Sequence, residues 1–203
     1  MRWVKYKQVI ENFFSLSILN ALNVLLPLVT LPYMLHVVGK ANYGAYSYVY
    51  AVVQYVILFS TYGFNFSATK QISQCRDDKE KVSKIYNAVT ASKTLIALSL
   101  SVLLLLCAKL VFKDGVGTLM FVYGLGMVIG DVLTPIWLFQ GMEKMKYMTI
   151  VNASSKILFT ILIFIVVRAS EDYQLLILLN SCGYLLAGVL SLILVCRQFH
   201  LRL

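Results

Sequence analysis

A chain of 203 residues that is 60% hydrophobic and only 13% charged, with a mean hydropathy of +0.78, cannot be an ordinary soluble domain, because a fold of that size has nowhere to hide so much apolar surface from water. The formal net charge of +9 does not argue for nucleic acid as a partner: the lysines and arginines stand in short stretches between long apolar runs, where they report topology. Each run approaches the roughly 20 residues that cross a bilayer, so the expected class is an all-α integral membrane protein.

The basic start Met1-Arg-Trp-Val-Lys-Tyr-Lys7 resembles that of a signal peptide. The apolar run behind it is too long, and no small-residue cleavage site closes it, so it is read as a first span over Phe13–Val38. Ser17, Asn20, Asn23, Pro27 and Thr30 recur along it at helical spacing. Pro27 and Pro32 predict a bend, either a hinge or a static kink, and His36 falls at its outer end as an interfacial residue. A second span is expected over Ala45–Ala68, with Ser47, Gln54, Thr61 and Asn65 on one stripe and Tyr48, Tyr55 and Tyr62 at heptad spacing beside it. The segment Thr69–Val82 reads as a charged loop, Lys70, Arg76, Lys79 and Lys81 being partly offset by Asp77, Asp78 and Glu80.

The third span, Ser83–Phe112, carries Asn87, Thr90, Thr94, Ala97 and Ser101, with Lys93 adjoining. In the fourth, Thr118–Phe139, Gly124, Asp131 and Thr134 share a face, and Gly126-x-x-x-Gly130 is read as a close-packing site. Asn152, Lys156 and Thr160 lie along the fifth, Met148–Val167; Asn180, Tyr184, Ala187 and Ser191 mark the sixth, Gln174–Val195. Taken together, six stripes bearing amides and charges suggest a hydrated interior. The connections are too short for a folded extramembrane domain, which makes residues 1–203 a single six-helix transmembrane domain. Cys75, Cys107, Cys182 and Cys196 show neither CxxC nor Cys/His spacing, so they read as small apolar fillers, with no metal or cofactor expected.

Positive charge sets the orientation. Arg2, Lys5, Lys7, Lys70, Arg76, Lys79, Lys81, Lys84, Lys144, Lys146, Arg197 and Arg202 fall on one side; Lys40, Lys109, Lys113 and Arg168 fall on the other. Twelve against four puts both termini in the cytoplasm.

The stretch from Asp131 to Tyr147 organises the chain. A carboxylate inside an apolar span costs roughly 2.5–3.5 kcal/mol on insertion scales, so Asp131 should have a partner or line a wet cavity. Pro135 opens the backbone ladder four residues on, and Trp137, Lys144 and Lys146 mark the approach to one membrane face. Lys93, Asp131 and Lys156 are the ionisable groups placed well inside spans, each about 12–15 Å from the Lys-rich end at 1.5 Å per residue. Two lysines against one aspartate suit an anionic ligand such as a phosphate or pyrophosphate. The competing expectation is structural: the lysines snorkel to the headgroups and Asp131 pairs with one of them.

Three segments carry a family resemblance: Leu25-Leu-Pro-Leu-Val-Thr-Leu-Pro-Tyr33 with Val37-Val-Gly-Lys-Ala-Asn-Tyr-Gly-Ala-Tyr46, Tyr62-Gly-Phe-Asn-Phe-Ser-Ala-Thr-Lys70, and Thr134-Pro-Ile-Trp-Leu-Phe-Gln-Gly-Met-Glu-Lys-Met-Lys146. The sequence resembles bacterial polysaccharide flippases of the Wzx type, within the superfamily that also holds multidrug and lipid-linked-oligosaccharide exporters. That resemblance implies two six-helix lobes around a central cavity. It implies alternating-access transfer of an undecaprenyl-pyrophosphate-linked repeat unit from the cytoplasmic to the periplasmic leaflet of the inner membrane, without covalent chemistry. Lys93 and Lys156 then become candidates for the pyrophosphate and Asp131 for pairing or ion coupling. The resemblance puts Asn65 and Lys70 at the cytoplasmic mouth; Asn23 and Asn152 are further pathway candidates, and Tyr55, on a helix whose tyrosines also suit an interfacial aromatic belt, is a candidate to stack on sugar rings. Such flippases have about twice as many spans, so this chain is expected to represent an N-terminal lobe, acting with a C-terminal lobe or a second copy among the membrane lipids. A multidrug antiporter would want acidic groups in its interior. A membrane glycosyltransferase or polymerase would want carboxylates on an outer loop, where only Glu171 and Asp172 stand together.

Overall fold

The computed structural model of the chain describes residues 2–112 and 115–199, except for the side chains of 2–9, 12, 116 and 199. Lys113, Arg202 and the side chains of Arg2, Lys5 and Lys7, all counted in the charge asymmetry, lie outside the described residues. Among the described residues there are helices and no strands: α1 (Arg2–Val37), α2 (Lys40–Thr61), α3 (Phe64–Gln74), α4 (Lys79–Val111), α5 (Val116–Val132), α6 (Ile136–Gly141), α7 (Met145–Val166) and α8 (Tyr173–Leu194). They make six stretches long and apolar enough to cross a membrane, namely Phe13–Val37, Lys40–Gln74, Lys79–Val111, Gly117–Gly141, Met145–Val166 and Ser170–Gln198. With the apolar faces they leave uncovered, this is a multi-pass membrane protein: Leu95, Leu98, Leu103, Leu106 and Leu110 of α4 all point away from the bundle, where lipid and not water is the fitting solvent.

Two of the six crossings are broken. The second does not end at Ala68 in a long charged loop, as expected; it breaks at Tyr62-Gly63 and resumes as α3, which continues to Gln74. Both residues at the break adopt left-handed backbone, with φ of 32° at Tyr62 and 75° at Gly63, conformations that glycine tolerates and tyrosine rarely takes. The loop to α4 shrinks to a few residues, and Asp78 caps α4 by accepting from the Lys81 backbone N–H at 3.1 Å. The fourth crossing breaks at Leu133-Thr134-Pro135, as Pro135 predicts, and resumes as the six-residue α6. Pro27 and Pro32, by contrast, lie inside a helix that runs on to Val37.

The bundle closes most tightly between α5 and α8, and the small residues explain why. A Cβ on Gly130 would sit 2.3 Å from the Tyr184 carbonyl carbon, and one on Gly188 would sit 2.9 Å from the Gly130 oxygen. Only glycine allows this approach, which bears out the packing reading of Gly126-x-x-x-Gly130. Around this pair, α2 packs on α4, α5 and α8, α7 packs on α8, and α1 sits at the edge, mainly against α7. The buried apolar side chains form two clusters. One, toward the end bearing Val38 and Val167, includes Val53, Phe121, Met127 and Leu176. The other, at the basic end, gathers Ile72, Tyr86, Trp137, Phe139, Met148 and Val195.

Candidate functional site

Asp131 sits in the last turn of α5, just before the break. Its carbonyl would ordinarily accept from the N–H four residues on, but that residue is Pro135, which has none. The Thr134 N–H reaches the carbonyl at 3.2 Å, and the Lys93 ammonium, arriving from α4, donates to it at 2.9 Å. The same ammonium lies 2.7 Å from the Asp131 carboxylate Oδ2. One lysine therefore neutralises the carboxylate and also satisfies the backbone that proline leaves open. Lys93 is only 4% exposed and turns inward to Asp131, so it does not snorkel. The structural expectation holds for this pair: Asp131 has its partner, and the pair braces the break.

Lys156 does not join them. It stands eleven residues into α7, counting from Met145, ~16 Å from the helix start. It donates to the Asn23 amide oxygen of α1. Similar depth would allow the three charges to meet, but α4 packs on α2 and α5, whereas α7 packs on α1 and α8, so two ion-bearing helices face different neighbours. Among the described residues no carboxylate pairs with Lys156. Asn152 lies one turn before it on the same helical face and is half-buried. The seam between α1 and α7 thus gathers Lys156, Asn23 and Asn152.

The remaining sequence candidates lie apart from both groups. Tyr55 is 61% exposed on the outward face of α2. Asn65 is half-buried on α3, its carbonyl accepting from the Thr69 hydroxyl at 2.5 Å, and Lys70 is exposed one turn further on. Several polar residues read as parts of a hydrated stripe are spent on helix packing instead. Gln54 donates to the Tyr184 hydroxyl at 3.1 Å, and Asn180 donates to the Tyr46 hydroxyl at 3.1 Å. Ser181, outside those stripes, is used the same way, its hydroxyl donating to the Tyr123 carbonyl at 2.5 Å.

One feature escaped the sequence reading, which counted Arg76 only as a topology charge. Its guanidinium donates from Nε to the Gly141 carbonyl at 2.6 Å and meets Glu143 Oε1 at 2.7 Å, tying the α3–α4 turn to the α6–α7 turn. Glu143, a lone carboxylate in a turn otherwise bearing Lys144 and Lys146, was the available signal. The helices behind the clamp also interlock: a Cβ on Gly141 of α6 would fall 2.7 Å from the Ile72 Cβ of α3.

With the geometry in place, the chain can be set beside known proteins. The family described as "Polysaccharide biosynthesis protein" matches residues 9–203. A protein of Escherichia coli (strain K12) named "Putative O-antigen transporter" is 33% identical over 188 residues, which are 93% of this chain and 45% of that protein. A protein of the same name from Shigella dysenteriae is 28% identical over 186 residues, 91% of this chain and 46% of its own length. The chain spans about half the length of these curated relatives. No solved structure matches it.

Proposed function

The chain belongs to the polysaccharide biosynthesis protein family, and from that premise we propose that it forms one lobe of a flippase. The proposed cargo is an undecaprenyl-pyrophosphate-linked polysaccharide repeat unit, carried from the cytoplasmic to the periplasmic leaflet of the bacterial inner membrane by alternating access, with both termini in the cytoplasm. The second wall of the cavity comes from another six-helix lobe, on the same polypeptide or as a second copy.

The observation that carries this reading is the difference in partners of the two intramembrane lysines, one buried and one half-buried. A pyrophosphate brings negative charge into a low-dielectric zone and needs a cation that can leave its resting partner cheaply. Lys93 cannot, because withdrawing it would strand the buried Asp131 carboxylate without a counter-charge. Lys156 can. Its resting partner is the neutral Asn23 amide, and a phosphate oxygen taking Asn23's place leaves no bare charge behind. Asn23 and Asn152 then offer amide N–H donors to the same group. The process breaks no covalent bond, so the protein's task is electrostatic compensation and passage. It does not act as an enzyme.

The experiment is Lys156→Gln in cells whose surface polysaccharide depends on this chain. Export should fall at least about tenfold, equivalent to ~1.4 kcal/mol, while the amount of inserted protein is unchanged. Undiminished export would overturn the assignment of Lys156.

A further inference from the structure

The two apolar cores are separated, along every helix that joins them, by a buried polar side chain: Ser60 on α2, Lys93 on α4, Thr134 at the α5–α6 break, Ser155 on α7 and Ser191 on α8. On α4, for example, Tyr86 belongs to the basic-end core and Ala97 to the other, with Lys93 between them. Both helix breaks fall at this layer. Tyr62-Gly63 follows Ser60 by two residues, and Leu133–Pro135 encloses Thr134.

The layer is weakly cross-linked. The Ser60 hydroxyl donates to the Ile57 carbonyl at 2.8 Å and the Thr134 hydroxyl to the Gly130 carbonyl at 2.7 Å, each within its own stretch of chain. Ser191 reaches α7 only through the Met148 sulfur at 3.8 Å, and the buried Ser155 hydroxyl finds no hydrogen-bond partner among the described residues. The strong link between helices at the layer is the Lys93–Asp131 pair, joining α4 to the end of α5 just before its break. Beyond it the basic-end half is tied helix to helix by the Arg76 clamp and the close approach of Gly141 to Ile72. Interlocked apolar side chains resist sliding, because any shift opens voids; small hydroxyls bonded to their own helix offer no such resistance.

We infer that this polar layer is an articulation plane. The basic-end half, made of α3, α6 and the adjoining ends of α4, α7 and α8, turns as one body against the rest. Tyr62-Gly63 and Leu133–Pro135 are its hinges, and the Lys93–Asp131 pair is its catch. α4, α7 and α8 cross the plane unbroken and flex. This holds whatever cargo the chain carries.

Paired spin labels in lipid nanodiscs test it, on the full chain with its four cysteines replaced by alanine. Labels at the exposed positions Ser73 and Lys146 sit within the proposed body, and labels at Ser73 and Leu106 span the plane. The within-body pair should give one narrow distance, and the spanning pair a broad or two-peaked distribution. The double substitution Lys93→Met with Asp131→Leu should shift the balance of the spanning distances at least about threefold and leave the within-body distance alone. A spanning pair as narrow as the within-body pair, or a within-body pair as broad as the spanning one, would overturn the inference. That comparison needs only the cysteine-replaced chain with Lys93 and Asp131 intact, so it decides the matter even if the double variant does not insert.

Discussion

Two lysines enter the same apolar zone and meet opposite fates. Lys93 is sealed against a carboxylate and a broken backbone; Lys156 rests half-buried on an amide at the α1–α7 seam. Their intrinsic chemistry is identical, and what differs is the charge state of what would be left behind if each moved. The lesson is that an ionisable residue in a membrane span is not by itself a ligand site: its resting partner decides whether it is committed to the fold or free to change partners.

The largest effect should come from breaking the committed pair on one side only. Asp131→Leu with Lys93 retained leaves a buried cation unpaired and should destabilise the protein by about 3–5 kcal/mol, seen as a large drop in its unfolding temperature in lipid nanodiscs. Lys93→Met combined with Asp131→Leu should recover most of that loss, since an apolar pair of similar volume is tolerated where half an ion pair is not. Equal damage from the single and double variants would show that the pair does more than neutralise itself. Lys156→Gln makes the opposite case. The unfolding temperature should shift by less than the equivalent of about 1 kcal/mol, because Gln keeps a donor for Asn23 and removes no carboxylate's partner.

A finer cut separates the two jobs of Lys93. Pro135→Ala restores the missing N–H and gives the Asp131 carbonyl a helical donor, so Lys93→Met should cost about 0.5–1.5 kcal/mol less in that background than in the wild type. A coupling energy of zero from the four-protein cycle would remove the backbone half of the account. The smallest effect lies at the surface, at the solvent-accessible charged pair Asp78–Lys81. The Lys81 backbone N–H, followed by its ammonium, holds the Asp78 carboxyl below its ordinary range. A lowered folded-state pKa means that the cap's contribution is present above the ordinary carboxylate pKa and is lost as pH falls through the folded value. Unfolding temperatures of wild type and Asp78→Ala should therefore differ slightly at neutral pH and converge in acid.

The sequence made the depth of these charges legible because hydropathy is a one-dimensional signal: each stands nine or more residues from the next charge along the chain, within a stretch long enough to cross a membrane. Which charge meets which was not legible, since that depends on helix order around the bundle, and Lys93, Asp131 and Lys156 differ there and not in depth. The break at Pro135 was readable because proline removes a donor wherever it stands. The break at Gly63 was not, because a glycine in an apolar run also serves close packing, as Gly130 does; only the positive φ at Tyr62 and Gly63 tells the two apart. The Arg76–Glu143 clamp hid among loop charges whose count serves topology whether or not they bond. Gln54, Asn180 and Tyr184 looked like cavity lining because a polar stripe facing water and one facing a partner helix have the same period.

The contrast between the lysines can be tested by binding alone, without transport. Wild type, Lys156→Gln, and the Lys93→Met and Asp131→Leu double variant, each in nanodiscs with any partner lobe present, would be titrated with a polyprenyl pyrophosphate and read by native mass spectrometry. Affinity should fall about tenfold, ~1.4 kcal/mol, on loss of Lys156, and should stay within about twofold of wild type in the double variant. The reverse pattern, with binding intact without Lys156 and lost without the Lys93–Asp131 pair, would contradict the account at its centre.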